Sequence, residues 1–233
     1  MARPYVRRTL KRSGAMAVLR PAPGGDPSRI PPPRIFLEGE TPEAGSVDLA
    51  GLFGRSAPVE MEIGTGKGRF LLESAAAHPD RSWLGLEIEP AYCALVRLRA
   101  ARRGLLNVRI EPLDGREFVI RRVPPGALAA LHVYFPDPWP KKRHHKRRLI
   151  TPAFAASASR ALAAGGLLRV ASDHAGYWAV IEEVLGGEPL LERLAEEETG
   201  PWTCGTNYER KFAASGRSVF KAVFRRRNHG ESG

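Results

Sequence analysis

The chain has 233 residues, 43% of them hydrophobic, which suits one main domain with a core of its own. It has no apolar run of about 18 residues, no secretory-type apolar segment near its basic start, and only two cysteines, Cys93 and Cys204, outside any CxxC pair. A membrane protein, a disulfide scaffold and a zinc ribbon are therefore not expected, whereas a formal net charge of +11 in a cytoplasmic protein points to a polyanionic partner such as nucleic acid.

Residues 1–55 read as a basic, Pro/Gly-rich N-terminal arm, because PAPGGDP and PPPR interrupt any periodicity and residues 1–20 carry six basic side chains and no acid. A single domain is expected over 56–227, followed by a short tail, 228–233. Within it short apolar strands alternate with helical segments. VEMEI is followed by a helix near Lys67 to Ala77, SWLGLEI by a helix over AYCALVRLRAARR, and NVRIE by a short helix near Arg116. LAALHVYF then precedes a helix from Pro152 to about Ala164, and GLLRVAS precedes one through GYWAVIEEVL. Such βα units predict an α/β fold with a mostly parallel sheet and helices on both faces. PLLERLAE and SVFKAVFRR, without a helix between them, predict an antiparallel pair at the sheet edge.

The first strand runs into EIGTGKG, residues 62–68, where glycines 64, 66 and 68 let the backbone turn tightly against a ligand. A phosphate-binding P-loop is ruled out, since Met61 stands five residues before Gly66 and Gly68 follows Lys67. A dinucleotide fingerprint is weakened by Arg69 at its last glycine position. What remains is acid-x-G-x-G-x-G, the pattern of S-adenosylmethionine-dependent methyltransferases, in which Glu62 suits a cationic ligand better than a phosphate. Glu87, nineteen residues beyond Gly68 at the end of the second strand, is placed to accept ribose hydroxyls. Asp114 follows the third strand, where a side-chain acceptor can take an adenine amino group. Each acid alone also fits a helix cap or a solvated loop.

The fourth strand delivers FPDPWPKKRHHKRR, residues 135–148, to the same edge of the sheet. Prolines 136 and 138 restrict φ around Asp137, so its carboxylate has little freedom. The corner is one proline short of the Asp/Asn-Pro-Pro-aromatic motif of amino-group methyltransferases, which leaves adenine or cytosine amino methylation as an alternative. Lys141, Lys142, Arg143, Lys146, Arg147 and Arg148 follow at once, a concentration that coding bias towards arginine does not explain. His144 and His145 read as solvated or phosphate-contacting side chains, and no metal is expected.

EIGTGKG, GLEIEP, FPDPWPKKRHHKRRL, VASDH and TNYE, in this order and spacing, resemble the bacterial tRNA (guanine-N7-)-methyltransferase family from about Pro58 to Phe224. The resemblance implies a Rossmann-like class I methyltransferase that uses S-adenosylmethionine to methylate N7 of a guanine in the tRNA variable loop, conventionally position 46. It carries cofactor contacts onto Glu62, Glu87, Asp114 and Asp137, and substrate contacts onto Lys141, Asp173, Thr206, Asn207, Tyr208 and Glu209. Since guanine N7 has a lone pair and no proton, Asp137 reads as the catalytic clamp and not a base, and Lys142, Arg143, Lys146, Arg147 and Arg148, beside it in sequence, read as phosphate contacts. The N-terminal arm matches the family poorly, and Asn207-Tyr208 stands where Lys-Phe is frequent. No protein partner is required. A non-catalytic RNA-binding protein on the same scaffold is the rival reading, and an NAD-linked dehydrogenase a third.

Overall fold

The computed structural model describes residues 45–199, Thr206, Glu209 and 218–228. Among these the chain forms α1 (Leu49–Phe53), β1 (Val59–Ile63), α2 (Arg69–Ala77), β2 (Ser82–Leu86), α3 (Pro90–Arg102), β3 (Val108–Glu111), α4 (Gly115–Arg121) and β4 (Leu128–Tyr134). A 3-10 helix (Lys142–Arg147) follows, then α5 (Pro152–Ala161), β5 (Leu162–Ser172), α6 (Ala175–Gly186), β6 (Leu191–Arg193), α7 (Glu196–Thr199) and β7 (Phe220–Arg226). The strands make one sheet in the order β3-β2-β1-β4-β5-β7-β6. β1 to β5 are parallel, and β7 pairs antiparallel with both β5 and β6. The expected antiparallel pair thus forms at that edge, with β7 inserted next to β5 and β6 outermost. The short α7 lies between the two in sequence.

Alternation along the strands sorts side chains onto two cores. Met61, Ile63, Leu84, Leu86, Leu131 and Val133 face a cluster that includes Phe118 of α4, Phe154 of α5 and Tyr177 of α6. Trp83, Ile110 and Tyr134 face the other, with Phe70 and Leu71 of α2 and Val96 of α3. Strands covered on both faces need apolar residues at successive positions, which is why β1 and β2 are buried throughout. The first cluster also takes in Val47, Leu49 and Phe53, so the core reaches residues that the sequence assigns to the arm.

Helix starts follow local chemistry. Thr151 caps α5 by accepting from the Phe154 amide, with Pro152 in the first turn, and Glu89 accepts from the Ala91 amide ahead of Pro90 in α3. The end of α5 does not: the helix stops at Ala161, three residues earlier than expected, because Leu162 pairs with Leu128 of β4. Gly165, at φ 73°, then absorbs the shift of register before Leu167 pairs with Ala130. Sheet pairing overrides the helical propensity of the alanines here.

Candidate functional site

Beyond β1 the backbone enters the left-handed region at all three glycines of the turn, with φ 77°, 52° and 73° at Gly64, Gly66 and Gly68. Gly68 carries a second constraint: a Cβ there would lie 2.4 Å from a methyl of buried Val96, so its absence is what lets α3 pack against the turn. Gly68→Ala is expected to cost about 2–4 kcal/mol in urea unfolding, from the left-handed backbone and the collision together. Adding Val96→Ala should relieve the collision and leave the backbone part of the loss.

The turn opens onto a cleft of about 700 Å³ lined by Glu62, Gly64, Gly66, Lys67, Tyr134, Phe135 and Thr206 among others. Glu62 is 3% exposed, and its Oε2 has no hydrogen-bond partner. Burial and the nearby Glu87 carboxylate push its pKa up to about 8, against a smaller opposing effect of the Leu71 amide. A buried carboxyl with an unused oxygen in a cleft favours a cationic group. Glu87 itself shapes the turn: Oε2 accepts from the Gly66 amide at 2.7 Å and Oε1 from the Glu89 amide at 3.0 Å. Any ribose contact by Glu87 therefore uses lone pairs beyond those two bonds. Asp114 is the N-cap of α4, its Oδ1 accepting from the Arg116 and Glu117 amides.

Asp137 lies outside the residues that line this cleft. It is exposed and forms no hydrogen bond or ion pair among the described residues, while its charge helps to keep the nearby Tyr177 hydroxyl protonated, behind the larger effect of burial. The corner that carries it is strained at both ends, with non-glycine residues Phe135 and Trp139 at φ 53° and 41°. Several contacts hold it. The Phe135 amide donates to the Ala171 carbonyl at 2.8 Å, and Arg148 Nε donates to the Pro138 carbonyl at 2.9 Å while its guanidinium lies over the Tyr177 ring. The Arg147 guanidinium covers the Trp139 ring at 4.9 Å, and His144 meets that ring edge-on.

The basic run is consequently folded back on the acidic corner as one unit. Lys141, Lys142, Arg143, Lys146 and Arg147 are exposed, but Arg148 is buried and serves the corner. Asp173 follows β5 and is half-buried. Thr206, in the cleft wall, accepts from the Glu209 amide at 3.0 Å, and Glu209 pairs with Lys221 of β7. Asn207 and Tyr208 lie outside the described residues.

Two groups were not singled out from the sequence. His132 is buried between Glu60 (Nε2 to Oε2, 2.7 Å) and the Tyr134 hydroxyl (Nδ1 to O, 2.8 Å), and Glu60 also binds Arg81. Burial pushes the imidazole pKa down, so neutral His132 donates to Glu60 and accepts from Tyr134, whose ring borders the cleft. The alternation of His132 and Tyr134 with apolar Leu131 and Val133 marks them as sharing a face, but their partner Glu60 is 72 residues away. The second group is the cationic side of the cleft, formed by Lys67, Arg69, Arg99 and Arg103.

Residues 56–222 match the model of a family described as putative methyltransferases. A tRNA (guanine-N(7)-)-methyltransferase of Alkalilimnicola ehrlichii is 39% identical over 82% of each chain. Its counterpart from Halorhodospira halophila is 38% identical over 81% of this chain and 83% of its own. Among solved structures, the aminoglycoside resistance methyltransferase NpmB1 matches with a TM-score of 0.53 at 18% identity, over 76% of this chain and 91% of that one. Kmr, an antibiotic-resistance methyltransferase, matches with a TM-score of 0.52 at 18% identity, over 78% and 93%. These two likenesses concern the fold.

Proposed function

From the premise that the chain belongs to the tRNA (guanine-N(7)-)-methyltransferase family, we propose that it transfers the methyl group of S-adenosylmethionine to N7 of a guanine in tRNA, at position 46 of the variable loop. The observation that carries this reading is the buried Glu62 carboxyl, with one oxygen unpartnered, in a glycine-turn cleft near a rigid acidic corner fused to five exposed cations. Glu62 fits the cofactor, because its orphaned oxygen requires a cationic or donor group and the cofactor has an ammonium and a sulfonium. Glu62, the glycine turn and Thr206 would hold it, with Glu87 keeping the turn in shape. Bound there, S-adenosylmethionine supplies an activated methyl group.

Guanine N7 has a lone pair and no proton, so the protein need not supply a base; its task is to position the base. Asp137, exposed and without a bond to the described protein, can accept from guanine N1–H and N2–H or from the amino end of the cofactor. Presenting N7 from a folded tRNA requires exposing the base, at a cost of a few kcal/mol that phosphate contacts along Lys141–Arg147 offset. No helix among the described residues is long and apolar enough to cross a membrane, and no group of three His, Cys, Asp or Glu among them is placed to hold a metal. A tRNA substrate assigns the protein to the cytoplasm.

Mass spectrometry of unmodified tRNA after incubation with protein and cofactor tests the reading: one 7-methylguanine should appear in the variable loop. Methyl groups on exocyclic amines would favour the amino-group alternative, and no methylation would favour a binding protein. Lys142→Ala, Arg143→Ala and Lys146→Ala together, which spare the bracing Arg147 and Arg148, are expected to flatten the salt dependence of tRNA binding by about two to three units. A slope equal to that of wild type would reduce the run to a solvated face.

A further inference from the structure

We propose that Lys67, Arg99, Arg102 and Arg103 form a second cationic surface that takes backbone phosphates of the tRNA. It lies on the α2/α3 face of the sheet, apart from the Lys141–Arg147 run, which is tied to α4 through the bond from Arg116 to the Lys146 carbonyl and leads into α5. This inference rests on the tRNA-methylating reading and adds a site to it.

How the chain spends its cations identifies the surface. Arg69 pairs with Glu73, Arg97 with Glu111, Arg121 with Glu117, Arg193 with Glu182, and Arg225 and Arg227 with Glu192. Lys67, Arg102 and Arg103 have no carboxylate partner among the described residues, and Arg99 donates only to a neutral acceptor, the Lys67 carbonyl, at 2.8 Å. Arginines elsewhere without a carboxylate partner among the described residues, Arg55, Arg109, Arg116 and Arg226, spend donors on backbone carbonyls. Here Arg99, Arg102 and Arg103 come together at the end of α3, and Lys67 is joined to them through its carbonyl. The missing Cβ of Gly68 allows that approach, since Val96 fills its place.

The macrodipole of α3 accounts in part for arginines in its last turn, worth about 0.3–1 kcal/mol each. It does not account for Lys67, which belongs to the glycine turn, nor for the opening of Lys67, Arg99 and Arg103 onto the same cleft as Glu62 and Thr206. Tyr92, 38% exposed, lines the same cleft and offers a ring beside the cations. Unpaired arginines with an aromatic ring match a sugar-phosphate backbone, in which anionic oxygens recur and bases offer stacking faces. A chain bound on both faces is clamped across the edge that carries Gly64–Gly68 and Asp137.

The test measures binding of the full-length protein to unmodified tRNA as a function of salt. Arg102→Gln with Arg103→Gln leaves the turn and its Arg99 tie intact, and should reduce the log–log salt slope by about two units and the affinity at 0.1 M salt by tenfold or more. The thermal midpoint should stay within error of wild type, and Arg102→Gln alone, at a residue outside the cleft lining, should lower the slope by about one unit with S-adenosylmethionine affinity unchanged. Adding Lys67→Gln should remove about one further unit. A double variant with the wild-type slope, beside a wild type that binds tRNA with a clear salt dependence, overturns this surface and leaves the proposed function standing. A wild type that does not bind tRNA overturns both. Loss of cofactor affinity with an unchanged slope also overturns the surface, assigning the arginines to the cofactor pocket instead.

Discussion

Asp137→Asn should lower single-turnover methyl transfer to tRNA by about a hundredfold or more, with the fold intact. The side chain makes no hydrogen bond or ion pair among the described residues, so the substitution removes nothing that holds the domain together. What it removes is a carboxylate aimed from a corner kept in strained backbone geometry at Phe135 and Trp139 and braced by Arg147 and Arg148. Strain of about 1–3 kcal/mol per such residue persists where the surrounding contacts over-determine it, and it clusters at ligand sites. Asparagine keeps the size but offers one acceptor oxygen in place of two, without the charge. A clamp is then lost in the same proportion at every pH, and no external base restores it, because N7 has no proton to give up. Single-turnover rates for both proteins from pH 6 to 9, with the product mapped to the base atom, decide the matter. Near-normal turnover would make Asp137 an incidental acid, and rescue by added base would make it a proton acceptor.

Glu62→Gln should weaken S-adenosylmethionine binding by about 10- to 100-fold, the loss expected when a charge-assisted bond worth about 1.5–3 kcal/mol is removed. The same change should stabilise the protein in the absence of cofactor. In the folded state the Glu62 pKa is raised to about 8, well above its ordinary value, so between the two values the folded carboxyl holds a proton that the unfolded one has released. A raised carboxyl pKa makes wild-type stability fall as pH rises through that window, at about 1.36 kcal/mol per unit, and level off above pH 8. Glutamine has no such dependence, so its advantage in thermal midpoint should grow from pH 5 to pH 8. The cofactor reads the same proton with opposite sign. Because a cation is held by the ionised carboxylate, wild-type affinity should rise by about tenfold from pH 6 to pH 7 and flatten above pH 8, with protons released to the buffer in calorimetry. A pH-independent affinity, or a variant no more stable than wild type at pH 8, would show that Glu62 is neither the cation holder nor desolvated.

Local chemistry determined a good part of this. Strands buried on both faces, glycines able to adopt positive φ and acids at strand ends are legible because each depends on its own residue and near neighbours, and the α/β order with its antiparallel edge pair followed from them. The motif order from EIGTGKG to TNYE carried the family. Tertiary structure decided what depends on distant partners. It ended α5 at Ala161, because Leu162 found Leu128, and it drew Leu49 and Phe53 into the core. It turned Arg148 inward as a brace, leaving Lys142 and Arg143 exposed beside it in sequence. It bound Glu60 to His132 across 72 residues, and it withheld a partner from Glu62 Oε2 while giving carboxylates to Arg69, Arg97, Arg121 and Arg193. Whether a charge is matched, buried or free is a property of what the fold brings beside it, and no periodicity in the chain encodes that.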